Sequence, residues 1–324
     1  MYAQGALDRD AAQLQSEIAP ETEAANHRRV LIINTRRTAR PHDTNTTASQ
    51  DRREFEAMLA RNDDLRKEGI PHFTVRHLSI LRQSADQTTM DWTRLAALIE
   101  SEYHNYHGFV VWHGTDTMVF AASALSFMLE NLNKPVVFTG SVITEYRIHS
   151  DMNRNIVLAL LFAKSDMIGE VCILFAEKLF RANRTIKVAQ SQLQPFTSPH
   201  FPPLAIVRGS EVDLNWRGLR AAPHSRLLVH GDMTAPILTI KLVPGMSHEI
   251  VVRMMHATKA RAVVLCAFGS GNVPNNDSIR ELVRFCQARD VILTVCSQLR
   301  GGRVGRRHFP TEIDLQQAAH FCNR

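Results

Sequence analysis

The chain has 324 residues, 44% of them hydrophobic and 22% charged, a length and balance that suit a globular protein with room for two cores and exclude a fibrous or fully disordered chain. Its formal charge of +6 is modest, and the doublets Arg28-Arg29, Arg36-Arg37, Arg52-Arg53 and Arg306-Arg307 are scattered without interleaved aromatic residues, so no nucleic-acid partner is expected. No apolar run reaches the roughly 18 residues of a spanning helix, and Met1 to Ala25 has neither a basic start nor an apolar middle, so neither a membrane partner nor a secretory signal is expected.

Residues 1–28 are polar, rich in alanine and acidic residues, and lack a sustained apolar face; they read as a flexible extension. The first strand is predicted at Val30 to Thr35, followed at Ala39 to Ser49 by turn-forming residues that suit a mobile loop and no long regular element. Further strands are predicted at Phe73 to His77, Phe109 to Trp112, Val136 to Thr139 and Glu170 to Phe175. Helices fall between them at Met90 to Glu102, Asp116 to Asn131 and Asn153 to Ala163. This alternation predicts an α/β fold, a larger N-terminal domain over residues 29–210 with a parallel sheet covered by helices on both faces. Residues 211–236 are less regular and read as a linker. A second alternation follows, with strands at Ile237 to Leu242, Ala262 to Phe268 and Val291 to Cys296, and helices at His248 to Thr258 and Ser278 to Ala288. It predicts a smaller C-terminal α/β domain over residues 237–324.

The five cysteines, Cys172, Cys266, Cys286, Cys296 and Cys322, lack metal-ligand spacing, and Cys172, Cys266 and Cys296 sit in apolar runs where a cysteine acts as a small hydrophobe. Reduced thiols, no metal and a cytoplasmic location are expected.

The most informative segment is His113-Gly114-Thr115-Asp116-Thr117, placed between the strand Gly108 to Trp112 and a helical pattern that starts at Met118. A hydroxyl and a carboxylate thus stand side by side at a strand's carboxyl end, where open α/β sheets bind ligands. Thr38, just past the strand 30–35, and Ser141, just past the strand 136–139, repeat the arrangement. Taken singly, Thr115 and Asp116 are also helix-capping types, Lys187 is an ordinary surface charge and Thr38 an ordinary loop residue.

With these residues the chain resembles the L-asparaginase family of amidohydrolases, in its cytosolic bacterial-type and animal branch. The resemblance runs from about Arg29 to about Arg307. It rests on the His113 to Met118 block, Phe138-Thr139-Gly140-Ser141, Leu179 to Lys187, Phe201 to Ala205, and Phe268-Gly269-Ser270-Gly271-Asn272 in the family's order. It implies hydrolysis of L-asparagine to L-aspartate and ammonia, a small-molecule substrate handled without metal or organic cofactor. Thr38 would be the first nucleophile, and Thr115, Asp116 and Lys187 would form the relay that moves protons and activates water. Asp116 would also bind the substrate's α-amino group, Ser84 its carboxylate, and Ser141 would offer backbone contacts near the amide. Asn272 would reach a neighbouring subunit's site, which implies a homodimer or a homotetramer.

The chain also departs from the family. Arg36 and Arg37 stand where the family has two glycines, and an arginine obstructs both a positive φ and close approach of substrate to the backbone. The loop after Thr38 lacks the family's tyrosine, Val142 and Thr144 replace its glutamine and proline, Met152 replaces a glycine, and residues 306–324 do not match its final strand and helix, so the second domain looks truncated. Two alternatives therefore stay open beside the hydrolase: an inactive relative that binds an amino acid or serves as a scaffold, and a hydrolase whose Arg36 or Arg37 recruits a more anionic amide.

Overall fold

A computed structural model describes residues 28–37, 47–143, 147–304 and 319–322. The extension, Thr38 and residues 39–46 lie outside them. The contact pattern divides the chain into two compact units, Met1–Gly231 and Asp232–Arg324.

In chain order the first unit carries β1 (Arg29–Arg36), α1 (Ala48–Ala60), β2 (His72–Arg82), α2 (Thr89–Glu102), β3 (Gly108–Trp112), α3 (Met118–Met128), β4 (Leu129–Glu130), β5 (Val136–Thr139) and α4 (Met152–Ala163). After these come β6 (Val171–Phe175), β7 (Lys178–Arg181), β8 (Ile186–Lys187), β9 (Phe196–Thr197), β10 (Ala205–Arg208), β11 (Glu211–Leu214) and β12 (Leu228–Val229). An eight-stranded sheet has the order β11-β10-β7-β6-β5-β3-β1-β2, in which β6, β5, β3, β1 and β2 run parallel. The antiparallel strands β7, β10 and β11 complete one side.

The central strands form where they do because they are apolar without alternation. β3, β5 and β6 are buried along their whole length and β1 along all but its ends, as strands covered on both faces must be. On one face Val30, Ile32, Val110, Val137 and Cys172 pack with Ile156, Ala159 and Leu160 of α4 and with Phe55 and Leu59 of α1.

Three local differences from the sequence reading have physical causes. Ala48 and Ser49, assigned to a loop, begin α1: Thr47 and Gln50 form a reciprocal capping box that satisfies the helix's first amides. The helix expected to run to Asn131 stops at Met128, because Leu129 and Glu130 turn extended to pair with Leu228 and Val229. Residues 211–236, read as a linker, contain β11, which joins the large sheet, and β12.

The second unit carries β13 (Ile237–Lys241), α5 (His248–Ala257), β14 (Ala262–Ala267), α6 (Asp277–Ala288), β15 (Ile292–Ser297) and β16 (Ala319–Cys322). Its four strands are parallel in the order β13-β14-β15-β16. Val263, Leu265, Leu293 and Val295 pack with Val251, Met255, Ile279 and Leu282 of the helices. The final stretch, read as not matching the family's final strand and helix, supplies β16. Among the described residues no helix is long and apolar enough to cross a membrane.

Candidate active site

The sheet order places the carboxyl ends of β5, β3, β1 and β2 side by side, and because these strands are parallel their following loops open on one edge. From β3 comes the turn His113 to Thr117, from β5 comes Gly140-Ser141, from β1 come Arg36 and Arg37, and from β2 comes the single turn Ser84–Asp86. Lys187 arrives separately, on β8, whose pairing with β9 sets Lys187 opposite Phe196.

The Lys187 ammonium bridges the Thr115-Asp116 pair. Its Nζ donates to Thr115 Oγ1 at 3.0 Å and to Asp116 Oδ1 at 2.7 Å. The lysine side chain is 17% exposed and the aspartate 64%, so the lysine is held inside while the carboxylate keeps an open side for a ligand. Neither Thr115 nor Asp116 caps α3. The cap position belongs to Thr117, whose hydroxyl instead donates to the Ser84 carbonyl at 2.7 Å.

That contact brings Ser84 into the same neighbourhood, and Gly114 makes it possible. A Cβ on Gly114 would sit 2.6 Å from both Cβ and Oγ of Ser84, so the two loops close only on a glycine. Gly140 plays the matching part on the other side: a Cβ there would lie 2.3 Å from the His113 carbonyl oxygen. Ser141 is buried, and its hydroxyl has no hydrogen-bond partner among the described residues. A buried hydroxyl of this kind has unspent bonding capacity for a ligand.

Several residues that the sequence did not single out hold this edge in place. Asp151 accepts from the backbone amides of Val142 at 3.1 Å and Ile143 at 3.0 Å, and Asn155 donates to the Gly140 carbonyl at 2.9 Å, so the start of α4 anchors the turn after β5. A capping residue type ahead of a helical pattern was the available signal for Asp151. Gln87 carried none. His113, fully buried, places Nδ1 2.7 Å from the Gly114 carbonyl and Nε2 2.7 Å from the Gln87 carboxamide oxygen, while the Gln87 nitrogen lies 3.4 Å from Thr35 Oγ1. Burial pushes the His113 imidazole down to about 4, the Gly114 carbonyl opposes that, and the Arg36 charge lowers it further. A neutral ring has one N–H, which Gly114 takes, so the Gln87 amide must present its NH2 group to Nε2. His113 is thus a neutral scaffold residue.

The arginines in place of the motif glycines do not force a left-handed backbone: neither Arg36 nor Arg37 has a positive φ. Arg37 is engaged with α1, its Nε donating to the buried Asp51 carboxylate at 2.9 Å. Arg36 donates from Nε to the Arg37 carbonyl at 3.2 Å, and its charge is felt at His113.

Thr38 lies outside the described residues. Asn272 belongs to the second unit, where it closes a tight turn by bridging to Phe268, with Gly269 at φ 47° and Gly271 at φ 103°. A cavity of about 460 Å³ lined by Glu170, Arg181, Asn183 and Arg220 opens beside the start of β6, at the opposite end of the sheet from the relay, and contains none of the site residues. Among the described residues no group of three His, Cys, Asp or Glu side chains could hold a metal ion.

The fold and the site define a class: two-unit α/β proteins with a cluster of polar side chains gathered beside the carboxyl ends of a parallel sheet. The asparaginase N-terminal family model matches residues 23–220, and the glutaminase/asparaginase C-terminal domain model matches residues 237–322. The chain belongs to the asparaginase family. It is 36% identical over 268 residues to L-asparaginase 1 of Escherichia coli (strain K12), covering 82% of this chain and 78% of that protein. It is 41% identical over 233 residues to the 60 kDa lysophospholipase of Mus musculus, covering 72% of this chain but spanning only 41% of that longer protein. The crystal structure of L-asparaginase I from Vibrio cholerae superposes with a TM-score of 0.80 at 31% identity, over 91% of this chain and 87% of that one.

Proposed function

We propose that the chain hydrolyses the side-chain amide of L-asparagine to L-aspartate and ammonia. The observation that carries the proposal is the Lys187 amine set between Thr115 and Asp116 at 3.0 and 2.7 Å. As an ammonium, Lys187 donates to both. Once it has lost one proton, the same 3.0 Å contact carries a proton from the Thr115 hydroxyl, or from water activated there, to nitrogen.

Thr38 is assigned the first attack on the amide carbon, which expels ammonia and leaves an acyl-enzyme. Water activated at Thr115 then releases aspartate. Asp116 orients Lys187 with one oxygen and offers its exposed side to the substrate's α-ammonium group. Ser84, beside Thr117, is assigned the α-carboxylate, and Ser141 the amide end. A homodimer or homotetramer, with Asn272 lent to a neighbouring copy, completes the reading. An inactive relative is not favoured, because Lys187 holds both Thr115 and Asp116 and Arg37 is engaged with Asp51.

The test is ammonia release from L-asparagine by the purified chain beside Thr38→Ala, Thr115→Ala and Lys187→Met, with glutamine and a lysophospholipid as competing substrates. Each variant is expected to lower kcat by about 100-fold to 10,000-fold with folding unchanged. Wild-type turnover retained in Thr115→Ala and Lys187→Met would sink the assignment of roles. A preference for the lysophospholipid would sink the substrate.

A further inference from the structure

Cys266 on β14 and Cys296 on β15 are direct register partners in adjacent parallel strands, so their side chains leave the sheet on the same face. The Cys296 thiol donates to the Cys266 sulfur, and the two sulfurs are 3.5 Å apart. Neighbouring strands lie about 4.8 Å apart and disulfides join Cα atoms roughly 4.4 to 6.8 Å apart, so these sulfurs can reach bonding distance by side-chain rotation alone. Cys296 is buried, whereas Cys266 is partly exposed, which gives the pair one entrance and one interior thiol.

We propose that Cys266 and Cys296 form an oxidisable dithiol, closed to an intrachain disulfide by exchange with a low-molecular-weight disulfide such as that of glutathione. Cys266, as thiolate, attacks one sulfur of the small disulfide and expels one glutathione thiolate, leaving a mixed disulfide. Cys296 then gives its proton to water and attacks the Cys266 sulfur, expelling the second glutathione thiolate. Two protein thiols are oxidised by two electrons and one small disulfide is reduced to two thiols.

Cys172, opposite Val137 and Arg181, and Cys286, on α6, lack this arrangement. Burial pushes the Cys172 thiol well above its ordinary range and that of Cys286 up to about 11, which leaves both unreactive. Cys322 stands opposite Cys296 in the β15–β16 register, so the identity of the bonded pair must be read directly. The bond would sit beside the Phe268 to Asn272 turn. Cys266 is two residues before Phe268, and Ser297, next to Cys296, donates to the Gly269 carbonyl at 2.6 Å.

The test is incubation of the full chain with glutathione disulfide near pH 8, alkylation of remaining thiols and peptide mapping by mass spectrometry. The expected result is a peptide cross-linked through Cys266 and Cys296. It should be cleaved by dithiothreitol, absent from Cys266→Ser and Cys296→Ser, and preserved in Cys172→Ser and Cys322→Ser. Circular dichroism of each serine variant checks that it folds. A Cys296 to Cys322 link, a glutathione adduct that remains on Cys266, or full alkylation of both thiols would each overturn the proposal. Because the readout is covalent, it stands or falls independently of turnover with asparagine.

Discussion

His113 shows how a residue beside the relay acts without entering the chemistry. Its folded-state value near 4 lies below the ordinary 6.5, so between those pH values the unfolded chain binds a proton that the folded chain does not. Its contribution is intact above pH 6.5 and is lost as the pH falls toward 4, to the extent of about 3 kcal/mol. Urea denaturation should therefore show wild type losing more stability between pH 7 and pH 4.5 than His113→Gln. An acid limb equally steep in both would remove the buried imidazole from the account. Arg37 gives a second prediction at this scale. Restoring the family glycine as Arg37→Gly takes from the buried Asp51 carboxylate a partner 2.9 Å away, and should destabilise the fold by about 1 to 3 kcal/mol. Arg36→Gly, which removes no carboxylate pairing found among the described residues, should change urea midpoints little. Equal losses in the two variants would contradict this division.

Elements differ in how plainly the sequence announces them. Strands β1, β3, β5 and β6 are legible because burial on both faces demands unbroken apolar runs. Helix α1 is hidden, since its inward face is carried by Phe55, Leu59 and a charged Asp51 rather than by a full apolar stripe. Thr115, Asp116 and Lys187 are linked in the sequence by the resemblance of whole blocks, not by spacing, because Lys187 lies 72 positions beyond Thr115 and meets it only in the folded chain. Gln87 and Asp151 were not readable as site residues, since what they do depends on bonds to His113, Val142 and Ile143 that only the folded sheet creates. Asp151 also yields a test of the element it anchors. Asp151→Ala frees the turn that carries Ser141, and kcat/KM for asparagine should fall toward about 100-fold, with partial recovery in Asp151→Asn. Unchanged kcat/KM with the fold preserved would mean that the turn holds its place without α4.

At the scale of the whole molecule, the two units build separate cores, one around the eight-stranded sheet and one around the four-stranded sheet. The reading that Asn272 serves a neighbouring copy predicts a mass by light scattering of two or four chains at assay concentration. It also predicts that mixing Thr115→Ala with Asn272→Ala protein restores part of the activity each lacks. A fully active monomer would end that reading.

Lys187 and Thr115 are separated by 72 positions in the chain, and neither β3 nor β8 alone presents both. Contacts between such distant segments form late and slowly during folding, after shorter loops have closed. Recovery of turnover after dilution from denaturant should therefore trail the recovery of helical signal, and catalysis would report the docking of the β8 segment against the turn after β3 rather than the initial collapse.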